Sequence, residues 1–236
     1  MFKNLTLKLA ILMIASMFST ACSTHQTWIY RASGKSMISK PLVNEPIVIV
    51  PFLDQRASTN DNKTLLYAVP FMPFGWANYE APEGVARHIT SGLWQNYKPV
   101  DDFAKALVLE MENAELFKDV SFSFNRGDKY YIQGVILKTG YSGKMFSYLL
   151  SIYGPILWLI GLPAVTVENT LKIELSLVNN KSKKILFTKE YDATPYSEIG
   201  WIYSLPNDFH YAEMLNEVYK KFIYDLRTEL SNGIKN

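Results

Sequence analysis

The side chains in this sequence that could do chemistry are three histidines and one serine between glycines. His25, His88 and His210 could bind a metal or act as bases, but no two of them have the spacing of a metal-ligand pair. Ser142 lies in the sequence Gly-Tyr-Ser-Gly at 140–143, which lacks the Gly-x-Ser-x-Gly spacing of a nucleophile elbow and is better interpreted as a flexible loop. Dinucleotide-binding and Walker sequences are also absent. The sequence therefore predicts no catalytic site, no metal and no cofactor.

Two pairs of charged residues have structural interpretations. Asp54 and Arg56 follow a short apolar run, so we expect an ion pair at the end of the first strand of the domain. Asp101 and Asp102 precede an apolar pattern with helical spacing, where carboxylates stabilise the free N–H groups of a helix start. Adjacent carboxylates of this kind do not form an acid and base pair.

The only cysteine, Cys22, ends a segment typical of protein export. Lys3 and Lys8 provide the positive start, and the apolar run at 9–18 is too short to cross a bilayer of about 30 Å. The small residues before Cys22 resemble a bacterial lipoprotein signal, in which the cysteine becomes the lipidated first residue. The resemblance implies a signal peptide at 1–21 and a lipid, including palmitate, on Cys22. The alternatives are an ordinary signal peptide with an incidental cysteine, and a short anchor helix.

The charge balance excludes one class of partner. The chain has 24 Lys and Arg residues and 22 Asp and Glu residues, and two of the lysines lie in residues 1–21, so 22 of each sign remain beyond the signal. A nucleic-acid-binding protein needs a basic surface, so we expect no nucleic-acid partner.

In the lipoprotein family, a serine directly after the lipidated cysteine implies sorting to the outer membrane. Ser23 occupies that position here, so the resemblance implies a protein on the outer membrane that faces the periplasm.

The residues after the lipidation site are predicted to form a tether and one domain. Residues 22–45 are rich in Ser, Thr and Lys, which favours a tether. Within it, Trp28, Ile29 and Tyr30 could dock on the domain or on the membrane surface. Residues 46–236 then form a single domain.

The hydrophobic pattern predicts an α+β domain. It indicates helices at 102–117, after Pro206 and, less clearly, at 83–96, and strands at 47–53, 120–124, 130–138, 170–177 and 184–192. This order predicts a mainly antiparallel sheet of about five strands, with two helices on one face and an apolar helical insertion at 145–167.

The insertion is the unusual segment of the chain. Met145 to Val167 contains no charged residue, yet glycine and proline interrupt it, and both flanks join the same predicted sheet. It could be a buried element of the core, an amphipathic element in the membrane surface, or a contact with a partner or a second copy. Tyr148, Tyr153 and Trp158 are of the residue types that favour a membrane interface.

A second apolar segment, at 67–76, has the same character. Three helix-breaking or strand-breaking residues interrupt it, so the sequence predicts neither a helix nor a central strand there. We expect it to pack against the insertion. Phe71 and Trp76 are therefore added to the candidate membrane or partner contacts.

One family resemblance covers the domain. The sequence Val-Pro-Phe-Leu-Asp-Gln-Arg at 50–56 and the order of elements after it resemble periplasmic lipoproteins with a TolB-N-terminal or CsgG-like fold. The chain also resembles auxiliary lipoproteins of envelope lipid-transport ABC systems. These resemblances imply a non-enzymatic lipoprotein that scaffolds or assists an envelope complex, with an envelope protein or a second copy as partner. The alternatives are a lipid-handling subunit and a hydrolase that uses Ser142.

Overall fold

The computed structural model describes residues 25–34, 41–80, 87–90, 92–95, 97–127 and 129–233. The predicted signal peptide at 1–21 and the predicted lipidation site Cys22 lie outside the described residues. The elements are β1 (His25–Thr27), β2 (Val43–Ile49), β3 (Leu53–Asp54), β4 (Thr59–Lys63), β5 (Phe74–Glu80), β6 (Arg87–His88), β7 (Gly92–Gln95), α1 (Pro99–Ala114), β8 (Phe117–Phe122), β9 (Tyr130–Phe146), α2 (Pro155–Leu159), β10 (Val165–Asn179), β11 (Lys184–Asp192), β12 (Tyr196–Gly200) and α3 (Tyr211–Ser231).

Two long antiparallel strands, β9 and β10, form the spine of the main sheet. At the end where β9 begins, the spine is flanked by β11 on one side and by β2 and β8 on the other. At the end where β9 finishes, β12 pairs with β10, and β5 pairs with β9 and with β4. The connection between the two spine strands therefore projects from one end of the molecule.

The fold class is confirmed, but the sheet is larger than expected. Among the described residues the main sheet has nine strands rather than about five. It is mixed, because β2 and β3 run parallel to β9, and β8 runs parallel to β2. The remaining pairs in the sheet are antiparallel. A smaller sheet joins β1, β7 and β6.

The main core lies between the first part of the spine and helices α1 and α3. Phe103, Leu107 and Met111 of α1 pack with residues from both strands of the spine. The corresponding stripe of α3 contains Val218 and Phe222. Both helices thus bury an apolar stripe against the same face of the sheet, which is what their 3.6-residue periodicity predicts.

The region at 57–98 differs from the expectations. β5 begins directly after Pro73 and lies between two strands, so the prediction that 67–76 contributes no central strand was wrong from Phe74 onward. The described residues of the expected helix at 83–96 form β6 and β7 instead. The pairing of β7 with β1 is a long-range contact that local spacing does not encode.

The glycines near Ser142 lie in a strand, not in a flexible loop. Gly140 and Gly143 belong to β9. Gly143 pairs with both neighbouring strands, β5 and β10, and Gly140 pairs with β10. A Cβ atom at Gly140 would lie 2.5 Å from Thr170 Oγ1, and one at Gly143 would lie 2.5 Å from the Tyr141 hydroxyl. These positions need glycine because neighbouring side chains approach the backbone closely.

Candidate functional site at the apolar tip

The connection between β9 and β10 is held in place by a second segment of the chain. Residues 147–164 form a short 3-10 turn at Ser151–Tyr153, followed by α2. The backbone N–H groups of Ser147 and Tyr148 both donate to the carbonyl oxygen of Pro73, at 2.9 and 3.0 Å. The hydroxyl group of Ser151 donates to the carbonyl oxygen of Ala68. The two apolar segments therefore pack together as expected, and we call residues 64–73 and 147–164 the apolar tip.

The apolar tip places large hydrophobic side chains in solvent. Phe71 is 83% exposed, Leu65 81% and Leu159 71%. The other exposed hydrophobic residues of the tip are Val69, Leu149, Leu150, Ile152, Tyr153, Ile156 and Ile160. Single exposed apolar residues are common on proteins, but a contiguous group of this kind marks a binding surface. The interpretation of the insertion as a buried element of the core is therefore wrong.

The backbone of the apolar tip is held in an uncommon conformation. Four of the six non-glycine residues with positive φ in the described chain lie in it: Phe71, Tyr148, Leu149 and Ser151. Left-handed conformations at such residues cost free energy and persist where the surrounding structure imposes them. The hydrogen bonds between the two segments supply that constraint. The outward side chains are thus presented by a fixed scaffold.

The five predicted contact residues divide into two groups. Phe71 and Tyr153 point into solvent, as a contact residue must. Tyr148, Trp158 and Trp76 are half-buried and brace the scaffold: their polar groups donate to Pro163 O at 2.7 Å, Phe146 O at 3.0 Å and Asp61 Oδ2 at 2.8 Å. The sequence analysis did not name the exposed aliphatic residues of the tip as contacts. Most of them lie in the uncharged run at 145–167, which was the sequence feature that could have identified them.

Two lysines lie directly below the apolar tip. Lys63 on β4 pairs with Trp76 on β5, which pairs with Lys144 on β9, so the three residues form one row across the sheet. The Lys63 ammonium group lies 5.4 Å from the Trp76 ring centre, and that of Lys144 lies 5.3 Å from the Phe74 ring centre. Trp76 and Lys63 also bind Asp61, and the hydrogen bond from Trp76 is the main cause of the lowered pKa of that carboxyl group. The base of the tip therefore carries aromatic rings covered by cations.

A loop after β12 extends the apolar surface at the same end of the sheet. Gly200 pairs with Val165, the first residue of β10 after the tip, and the chain then turns through Trp201 and Ser204. Tyr203 and Leu205 in this turn are exposed. The exposed apolar surface at this end of the molecule therefore includes Tyr203 and Leu205 as well as the apolar tip.

His88, Ser142 and His210, which were considered for chemistry, occupy structural positions. His88 is buried and stacks on the Tyr141 ring at 3.9 Å between centroids. Its Nδ1 lies 3.6 Å from a carboxylate oxygen of the fully buried Asp208, which accepts a hydrogen bond from the Tyr141 hydroxyl at 2.6 Å. Ser142 Oγ donates to the amide oxygen of Asn78, which is not a base. His210 stacks on Tyr196.

The predicted ion pair between Asp54 and Arg56 is present. Arg56 donates to both carboxylate oxygens of Asp54, at 2.8 and 2.6 Å, and to Thr139. The hydrogen bond from Arg56 holds the pKa of Asp54 below its usual value, since it stabilises the carboxylate. Glu80 accepts the backbone N–H of Thr139 at 2.6 Å, and burial raises its pKa. This cluster joins the ends of β3 and β5 to the spine.

The described part of the chain lacks two further features that the residue types could have formed. No group of three or more His, Cys, Asp or Glu side chains within it could hold a metal ion. None of its helices combines the length and the apolar character needed to cross a membrane.

Comparison with known proteins gives similarities of overall shape at low identity. No family model and no curated protein matches the sequence. Protein XCC0632 from Xanthomonas campestris, of the family DUF330, shares 10% identity at a TM-score of 0.47 over 88% of this chain and 98% of its own. A neuraminyllactose-binding hemagglutinin homologue from Helicobacter pylori shares 14% identity at a TM-score of 0.39, over 86% and 89% of the two chains. PelC from Paraburkholderia phytofirmans, a dodecamer, shares 7% identity at a TM-score of 0.33, over 86% and 95%. Similarities at this level carry no argument about function.

Substitution of the outward residues tests whether the apolar tip is a surface. We expect Ile152→Asp to change the free energy of unfolding by no more than about 0.5 kcal/mol, the usual range for an exposed position. Leu171→Asp, which places the same charge in the main core, is expected to prevent folding. Thermal unfolding followed by circular dichroism measures both effects. A large loss of stability in Ile152→Asp would show that this part of the insertion is buried in the core and is not an exposed surface.

Proposed function

We propose that this protein is a non-enzymatic lipoprotein of the outer membrane, anchored by a lipid on Cys22, which scaffolds or assists an envelope complex and uses the apolar tip as its membrane or partner contact. The observation that carries the proposal is the tip itself: two separate segments of the chain combine to hold apolar side chains in solvent. Such a surface is favourable only when another apolar surface covers it. The structural hydrogen bonds of Ser142 and the burial of His88 favour binding over catalysis.

The test of the anchor is metabolic labelling with palmitate. The wild-type protein is expected to carry the label, and Cys22→Ser is expected to lose it, since no other cysteine exists in the chain. Ser23→Asp is the companion variant: it should keep the label but remain in the inner membrane, according to the sorting rule of the family that the signal resembles. A wild-type protein without label would refute the lipoprotein proposal.

A second candidate function is that of a lipid-handling subunit of an envelope ABC transport system. The aliphatic character of the outward residues, including Leu149, Ile156 and Ile160, favours it, because such side chains suit contact with acyl chains. Phospholipid that remains bound through detergent extraction of the wild-type protein, and is lost in Ile156→Asp, would support this second function. Extraction without bound lipid would favour the scaffold.

A further inference from the structure

The first described residues lie near the tip end of the molecule. His25 on β1 pairs with Leu93, which pairs with Arg87, the neighbour of His88. His88 stacks on Tyr141, and a Cβ atom at Gly143 would meet the Ile89 side chain at 2.8 Å. Tyr141 and Gly143 are close to the end of β9, where the apolar tip begins. The backbone at His25 is therefore placed over the part of the spine next to the tip.

From His25 the chain runs away from the apolar tip. Trp28 packs against Phe103 in the first turns of α1, at 5.8 Å between ring centroids. Tyr30 then reaches Glu110, and the carbonyl oxygen of Ser33 accepts a hydrogen bond from Asn113 near the end of α1. The region assigned to the tether is thus folded onto the helices at 28–33. Only its beginning, at the tip end, leads back to the lipidation site.

Cys22 cannot lie far from this end of the molecule. It precedes His25 by three residues, which span at most about 10 Å even when fully extended. This short reach excludes a lipid held at the opposite end of the spine, which is roughly 45–50 Å away by the length of the 15-residue β10. A lipid on Cys22 is therefore attached within about 10 Å of the His25 backbone, at the tip end of the spine.

The charges at this end fit the polar layer of a bilayer. The tip carries exposed aliphatic and aromatic side chains and no charged residue between Met145 and Val167. Directly below it lie Lys63 and Lys144 with the rings of Trp76 and Phe74. An apolar surface bordered by aromatic rings and lysines matches the order of acyl chains, interface and phosphate groups in a membrane.

We infer that the apolar tip inserts into the surface of the same membrane leaflet that holds the lipid on Cys22. The inference rests on the proposed function, because it uses the lipid as the second point of attachment. Two attachments fix the orientation of the domain: the spine stands away from the membrane, and β11 and the C-terminal part of α3 face the periplasm. The membrane surface, rather than a protein, is then what covers the tip.

Two matched reporter positions test this orientation. Ile152 in the apolar tip and Ile185 on β11 are 63% and 56% exposed, and Ile185 pairs with Val178 at the far end of β10. Because acylation consumes the thiol of Cys22, Ile152→Cys and Ile185→Cys each provide a single site for an environment-sensitive fluorophore. The acylated full-length variants are placed in vesicles of phosphatidylethanolamine and phosphatidylglycerol that contain a nitroxide-labelled lipid.

We expect a blue shift and quenching of the fluorophore at position 152, and neither effect at position 185. Equal behaviour of both reporters in acylated protein would overturn the inference while leaving the lipoprotein proposal intact. Mass analysis that finds no acyl chain on the wild-type protein would overturn both. If Ile152→Cys unfolds, Leu159→Cys replaces it. A photo-crosslinker at position 152 that captures one protein in cells and no lipid would also overturn the inference.

Discussion

Replacement of Glu110 by alanine is expected to lower the free energy of unfolding by about 3 kcal/mol and to release residues 25–34 from the domain. The Glu110 side chain is 3% exposed and accepts four hydrogen bonds at 2.6–2.9 Å, from the Tyr30 hydroxyl, the Ser33 N–H, the Ser33 hydroxyl and the Asn216 amide. Alanine would leave these donors without an acceptor in a partly buried site. Three of the four come from the N-terminal segment, so that segment loses most.

The exposed Glu112 on the same helix supplies the matched control. Glu112→Ala removes the same charge from α1 and is expected to change stability by less than about 0.5 kcal/mol. Thermal unfolding measures the difference in stability, and hydrogen exchange at 25–34 measures release of the segment. Unchanged exchange in Glu110→Ala would show that Trp28 and Tyr30 hold the segment through ring packing alone. In that case the orientation of the chain at the tip would not depend on the carboxylate.

The regular part of the fold could be predicted because its signals are local. The stripe of apolar residues from Phe103 to Met111 indicates α1, and alternation from Leu171 to Leu177 indicates the pairing partner of β11. Each pattern repeats with the period of its own element. The pair formed by Asp54 and Arg56 was also predictable, because the two residues are close in sequence.

The remaining elements depend on long-range contacts. The second part of β9 contains Gly140 and Gly143, whose low strand propensity concealed a strand that forms through pairing with β10 and β5. Thr170 and Tyr141 fill the space where side chains at these two positions would lie. β5 follows a proline, yet it is central because β4 and β9 pair with its two edges. Propensity is a weak guide where such pairing decides the conformation.

The candidate site was predictable as a segment but not as a surface. The uncharged run at 145–167 was visible in the sequence, and so was its likeness to 67–76. Which side chains face outward depends on the left-handed residues, such as Phe71 and Tyr148, and on hydrogen bonds between the two segments. No periodicity describes such a backbone, so Tyr148 and Trp158 could not be distinguished from Tyr153 in advance.

Alkaline solution is expected to unfold the protein steeply once the pH exceeds about 10. Burial raises the pKa of Tyr97, Tyr141, Tyr211 and Tyr219 above the usual value of 10.0. Three of these phenols also donate hydrogen bonds at 2.6–2.9 Å: Tyr141 to Asp208, Tyr211 to Thr139 and Tyr219 to Phe103. Ionisation of the phenols would remove these hydrogen bonds. Below pH 10 the folded and unfolded chains are equally protonated at these groups. Above it only the unfolded chain loses the protons, so stability falls as the pH rises.

The size of the effect follows from the number of tyrosines involved. Each group that ionises only in the unfolded chain costs about 1.4 kcal/mol per pH unit, so the four together remove about 5 kcal/mol per unit. Against a total stability of about 5–15 kcal/mol, unfolding is expected within roughly one to three units above pH 10. Circular dichroism and tyrosinate absorbance, recorded together, measure it. Tyr219→Phe should reduce the slope by about 1.4 kcal/mol per pH unit, whereas replacement of the exposed Tyr224 by phenylalanine should leave it unchanged. If tyrosinate absorbance from these four groups rose while the circular dichroism signal stayed native, water would have access to the phenols, and the close packing of α1 and α3 on the sheet would have to be reconsidered.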